Sequence, residues 1–169
     1  AEYVKMGKYD IALERLQEAL TRDPNYAEAH DVIAVLYELL GKPEEAKKHY
    51  ETAASLKPND SDIHNNYGQF LCKQGQWPQA EEHFLKAAKN PLYRTPYIPY
   101  TNAGVCVLLR KQDASQAEPF FRQALQSQPK FDKALYWMAQ TSYDQGFVAQ
   151  AQDYLNRYLE VAPHTPETL

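Results

Sequence analysis

Small and large apolar positions follow one another along this chain at helical spacing, and the pattern is copied about every 34 residues. Ala12, Ala46 and Ala80 are 34 apart, and after a step of 37 come Ala117 and Ala151, again 34 apart. Four residues after each alanine stands Leu16, Tyr50, Phe84, Phe121 or Leu155, and seven after it Ala19, Ala53, Ala87 or Ala124, with Tyr158 in the last copy. Spacings of four and seven put these side chains on one helix face. Five residues before each alanine lie Gly7, Gly41, Gly75, Gln112 and Gly146; twelve after it lie Pro24, Pro58, Pro129 and Pro163, the third copy placing Pro91 one residue early. Glycine ends a helix in a left-handed cap and proline stops the next one, so each copy reads as a helical hairpin. The pattern predicts helices over 9–22, 26–40, 43–56, 60–74, 77–89, 97–111, 114–127, 131–145 and 148–161.

Two helices that cross closely need a small side chain at the contact and a large apolar neighbour beside it. One hairpin buries too little apolar surface to offset backbone ordering of roughly 1–2 kcal/mol per residue, so hairpins must stack. This register resembles the tetratricopeptide repeat (TPR), and the expected fold is all-α, a solenoid of antiparallel helix pairs. The chain reads as a single repeat domain over 1–169: a partial repeat over 1–24, full repeats over 25–58, 59–92, 93–130 and 131–164, and the start of a further helix at 165–169. Residues 1–6 read as the tail of a truncated helix, so a longer parent protein is expected.

Composition narrows the functional classes. The 169 residues are 44% hydrophobic, with a net charge of -4. Mean hydropathy is -0.67 and the pI is near 5.7. No apolar run reaches the length of a membrane span, and there is no basic-then-apolar leader. Lys and Arg are scattered among acids, without the basic stripe that nucleic-acid binding needs. The histidines recur with the repeat, His30 with His64 and His49 with His83, each pair 34 apart. Recurrence favours a structural role, and no close cluster with metal-ligand spacing occurs. No GxSxG elbow or glycine-rich phosphate loop is present. Glu44-Glu45 and Glu81-Glu82 sit early in second helices, where they favour the positive helix end. No cofactor, metal or catalytic residue is expected, and the chain reads as a non-enzyme with no small-molecule substrate.

Between the third and fourth repeats the period breaks at Asn90-Pro91-Leu92-Tyr93-Arg94-Thr95-Pro96-Tyr97-Ile98-Pro99-Tyr100. Three prolines make it a lengthened turn, with Pro96 or Pro99 suited to the first turn of the next helix. Alternatively, Tyr93, Tyr97 and Tyr100 form a rigid aromatic ledge for a partner.

This segment, with Asn65-Asn66-Tyr67-Gly68-Gln69-Phe70-Leu71-Cys72 before it and Asn102-Ala103-Gly104-Val105-Cys106 after it, resembles the type IV pilus biogenesis and stability proteins, the pilotin-like PilF/PilW family of lipoproteins. The resemblance implies a periplasm-facing lipoprotein of the bacterial outer membrane, attached only through a lipid anchor absent from this chain. It also implies secretin subunits or other pilus components as partners, and a role in secretin assembly and pilus stability. Cys72 and Cys106 fall in the later halves of first helices of adjacent repeats, at ~8–10 Å helix separation, so either a disulfide or two reduced buried thiols fits. The periplasmic home implied by the resemblance favours the bridge.

Binding in this geometry belongs to the concave face lined by first helices. Asn66 and Asn102 each stand two residues before a glycine. Their amides suit the backbone of an extended peptide, unless they only bond neighbouring helices. Asp31, Asp62 and Asn65 make one end polar and acidic, while Tyr136, Trp137 and Tyr143 make the other aromatic, unless Trp137 fills the core. The competing reading is a cytosolic adaptor or co-chaperone that grips peptide tails. A carboxylate tail would meet Glu28, Asp31, Asp62 and Thr101, with only Lys73 and Lys133 nearby, so repulsion counts against it.

Overall fold

A computed structural model describes residues 8–111 and 113–162, which form nine α-helices and no strand. They are α1 (Tyr9–Arg22), α2 (Ala27–Leu39), α3 (Pro43–Leu56), α4 (Ser61–Lys73), α5 (Trp77–Ala88), α6 (Tyr97–Lys111), α7 (Ala114–Ser127), α8 (Asp132–Asp144) and α9 (Val148–Val161). Each end lies within one residue of the span the apolar pattern predicts. The expected helix tail at 1–6 and the start of a helix at 165–169 lie outside the described residues.

Local chemistry sets the boundaries. Asp60 caps α4, its Oδ1 accepting from the backbone N–H of Asp62 at 3.0 Å and Ile63 at 3.1 Å. Asp113 does the same for α7 through Ser115 and Gln116 at 3.0 and 3.2 Å. Pro43 and Pro78 open α3 and α5, where the missing N–H is no loss. Gly41, Gly75 and Gly146 take φ of +68°, +73° and +82° and turn the chain between paired helices.

Within hairpins α2 packs on α3, α4 on α5, α6 on α7 and α8 on α9; between hairpins α3 meets α4, α5 meets α6 and α7 meets α8. Ala46, Ala80 and Ala117 are fully buried at the crossings. The ring of Phe84 lies against Gly68 and that of Phe121 against Gly104, so closely that a Cβ there would sit 2.8 Å and 2.5 Å from the nearest ring carbon. Only glycine fits at those two places. First helices of successive hairpins also touch one another, α2 with α4, α4 with α6 and α6 with α8, whereas successive second helices make no comparable contact. The first-helix side is therefore the shorter, inner side of the stack.

Two large apolar clusters and a small one of Ala27, Ala53 and Ile63 fill the interior. One of the large clusters joins Ala34, Tyr50, Tyr67, Phe70, Phe84 and Cys106 across α2 to α6. The other joins Phe121, Leu125, Leu135 and Met138, with Tyr97, Tyr100, Trp137 and Tyr158 packed around it. Cys72 of α4 and Cys106 of α6 are joined as a disulfide with Cα atoms 5.9 Å apart, linking adjacent inner helices across the proline-rich junction.

The recurrent histidines pair within hairpins. His30 Nδ1 lies 2.9 Å from His49 Nδ1, and His64 Nδ1 lies 2.8 Å from His83 Nδ1. The other nitrogens of His30 and His64 reach the carbonyls of Pro24 and Pro58 at 3.1 and 2.9 Å. A carbonyl can only accept, so Nε2 of His30 and His64 donates to it, and at each Nδ1–Nδ1 contact one nitrogen donates and the other accepts. The two rings of a pair therefore cannot both be cationic. Burial pushes His49, His64 and His83 below the ordinary 6.5, His83 to about 4, and the neighbouring ring adds to the shift at His49 and His83.

Candidate protein-binding groove

The inner face carries a polar ladder. Asn66 Nδ2 of α4 donates to Asp31 Oδ2 of α2 at 2.8 Å, and Asn102 Nδ2 of α6 donates to Asn65 Oδ1 of α4 at 2.8 Å. Each rung runs from one first helix back to the preceding one. Asn66 and Asn102 are half-buried, whereas Asp31 and Asn65 are buried at 9% and 6% exposure. The amides thus hold neighbouring helices together, and each keeps its carbonyl oxygen and a second N–H. A third cross-link, from Lys73 Nζ to Glu38 Oε2 at 3.0 Å, has the same 35-residue separation as the Asn66–Asp31 rung. Glu38 also accepts from the buried Tyr50 hydroxyl at 2.6 Å. Sequence reasoning missed this second set, although the matched separation was there to be read.

The early end is acidic. Burial raises the Asp31 carboxyl to about 6, and Asp60, Asp62 and Glu28 push the same way against the hydrogen bond from Asn66. Its second oxygen, Oδ1, is buried and has no hydrogen-bond partner. Asp62 is exposed and accepts from the Tyr93 hydroxyl at 2.6 Å. Glu28 is paired with Lys57. Beside this end Val35, Leu39 and Phe70, with Glu38 and Lys73, line a cavity of about 410 Å³.

The late end is aromatic, but its three rings differ. Trp137 is half-buried and stacks on Phe121 with centroids 6.2 Å apart, so it packs against the second core cluster. Tyr136 meets the edge of Trp137 at 5.2 Å and is 44% exposed; Tyr143 is 65% exposed. These two tyrosines, with Val148 and Leu155 of α9, line a cavity of about 380 Å³.

The inserted segment is held to the start of α4. Asn90 Nδ2 donates to the Asn59 carbonyl at 3.1 Å and to Ser61 Oγ at 3.0 Å, and Tyr93 is tied to Asp62. Tyr97 packs on Phe131 with centroids 4.6 Å apart, and Tyr100 packs against the second cluster. The three tyrosines are half-buried and divide between two neighbours, Tyr93 on α4 and the other two on the α7–α8 side. Leu92, at 88% exposure, is the most open apolar side chain of the segment.

Stacked hairpins with a continuous inner face define a helical-repeat scaffold of the kind that binds proteins. The chain belongs to the tetratricopeptide repeat family, which matches residues 3–65, 39–91 and 108–167. Within it, the chain is related to type IV pilus biogenesis factors. It is 27% identical to the type IV pilus assembly protein PilF of Pseudomonas aeruginosa over 94% of its own length and 62% of that protein's. It is 31% identical to an uncharacterized protein of Haemophilus influenzae over 70% of this chain and 74% of that one. The solved structure of Pseudomonas aeruginosa PilF superposes with a TM-score of 0.88 at 25% identity, over 99% of this chain and 75% of PilF. That of PilW, a widely conserved type IV pilus biogenesis factor, superposes with 0.85 at 31% identity, over 99% of this chain and 76% of PilW.

Proposed function

We propose that this chain is a non-enzymatic scaffold of type IV pilus biogenesis, a pilotin-like factor that assists assembly of the outer-membrane secretin from its periplasmic face and supports pilus stability. The supporting observation is likeness over nearly the whole chain to both PilF and PilW. The inner face supplies the means. Asn66 and Asn102 retain a carbonyl oxygen and an N–H each beside their rungs, a pairing that suits the backbone of an extended segment. The test is retention of a secretin fragment on the immobilised protein, with acidic C-terminal peptides as the contrast. The fragment is expected to be held and the peptides not; Asn66→Ala with Asn102→Ala together is expected to weaken retention about tenfold or more while the helical spectrum persists. Retention of the acidic peptides instead would favour the adaptor reading.

A further inference from the structure

The acidic end of the inner face is short of positive charge. Asp31 on α2 is nine-tenths buried with one oxygen unpartnered, and Asp60 and Asp62 at the start of α4 add to the negative potential around it. The neighbouring cations are engaged elsewhere, Lys57 by Glu28 and Lys73 by Glu38. Among the described residues, none of Asp31, Asp60 and Asp62 has an ion-pair partner. Asp60 is occupied in capping α4, and Asp62 accepts a single phenol hydrogen bond. A buried carboxylate left in this state destabilises the fold unless a cation reaches it. The chain nevertheless places the acid on the inner face, bonded to the Asn66 amide that would hold a peptide backbone.

We propose that this end of the groove receives a cationic side chain, lysine or arginine, from an extended segment of the protein partner, with Asp31 and Asp62 as its counter-ions. The inference rests on the groove reading above and adds the chemistry of what the groove selects. Charge complementarity would set register as well as affinity, because the acids lie at one end and the exposed Tyr136 and Tyr143 at the other. A residue kept for binding against its own stability has a recognisable signature. Replacing Asp31 by asparagine keeps the acceptor for Asn66 and removes the buried charge. The charged groups around it are Glu28 on its own helix and Asp60 and Asp62 from α4, with the Tyr50 phenol from α3. All three charges are acidic, so the substitution should raise Tm at pH 8, where Asp31 is ionised, and change it little at pH 5, where the folded protein holds the proton.

The binding test uses a capped Gly/Ser decapeptide carrying lysines, followed by fluorescence anisotropy against the same peptide carrying glutamates. The lysine peptide is expected to bind and the glutamate peptide not. Asp31→Asn and Asp62→Asn are each expected to weaken binding about tenfold. Glu44→Gln with Glu45→Gln, which removes exposed charge from the first turn of α3, is expected to leave it unchanged. No binding of the lysine peptide, equal loss in the α3 control, or a lower Tm for Asp31→Asn at pH 8 would each overturn the proposal. A secretin fragment retained equally by wild type and Asp31→Asn but lost on substituting Asn66 and Asn102 would reject the cation and keep the groove. Retention by no form would reject the groove itself.

Discussion

The α2–α5 half and the α6–α9 half share one helix-pair plan but are held together by different chemistry. The first is laced with polar pairs: two histidine–histidine contacts, the Asn66–Asp31 rung and the Tyr50–Glu38–Lys73 set. Ring packing occurs in both: Tyr50, Tyr67 and Phe70 pack together in the first, and in the second Trp137 stacks on Phe121, Tyr136 meets the edge of Trp137 and tilts against Tyr158, and Tyr97 tilts against Phe131. Backbone geometry depends on small and large apolar positions, which both halves have, so the remaining contacts are free to differ. Polar pairs that include His, Asp or Glu change with protonation, whereas ring packing does not. The first half should answer to pH and charge as well as to loss of volume, the second chiefly to loss of volume. The Cys72–Cys106 bridge joins the inner helices where the two meet.

The largest effect should come from removing volume in the second half. Phe121 is fully buried against Gly104 and Trp137. Phe121→Ala is expected to cost about 3–5 kcal/mol. Trp77 packs against the first cluster and Trp137 against the second, so a single-tryptophan background reports each half separately. Urea unfolding should show the Trp137 signal lost well before that of Trp77; coincident loss would mean that the halves are one cooperative unit.

Next comes the bridge. Closing a loop of 34-residue separation is worth roughly 3–4 kcal/mol on the chain-entropy account. Native, unreduced protein should resist thiol alkylation at both cysteines by mass analysis. Reduction should lower the denaturation midpoint and spread the two tryptophan transitions apart. Two alkylated cysteines in unreduced protein would show instead that the inner helices are joined by packing alone.

The smallest effect is a titration confined to the first half. His49, His64 and His83 are protonated in the unfolded chain below the ordinary 6.5, but resist protonation in the fold, His83 down to about 4. Their contribution is therefore full above pH 6.5 and is lost as pH falls toward 4. Asp31 works the other way. Its raised value lets the fold hold a proton between the ordinary 3.8 and about 6, adding stability at low pH that is lost as pH rises through that range. Thermal melts from pH 8 to pH 4 should show Tm falling by a few degrees through the histidine window. His64→Gln with His83→Gln should flatten the fall, and an unchanged slope would show that the pairs are not its source.

Much of the fold was legible because its determinants are local and repeated. Ala46, Ala80 and Ala117, with the large residue one turn on, declare the crossing face without reference to any other part of the chain. Gly41, Gly75 and Gly146 likewise declare the turns. The candidate site was less legible. Asn66 and Asn102 stood out by position, but a sequence does not say whether an amide faces a ligand or the next helix. Trp137 has the same limitation, since an aromatic residue at that register serves a groove or a core equally well until Phe121 is found beneath it. The 37-residue step marked the insertion without showing that Tyr93 turns back to Asp62.

By itself, then, the sequence determined the helix spans, their pairing into hairpins and the need for hairpins to stack, since backbone caps and apolar periodicity act over a few residues. Only the tertiary structure decided which polar groups meet, from the Asn66–Asp31 rung to the histidine pairs and the unpartnered oxygen of Asp31. Those contacts join residues 19 to 37 positions apart. They exist only once neighbouring hairpins have taken their distance and angle, because hydrogen bonds and buried charge depend on tenths of an ångström that no spacing rule carries.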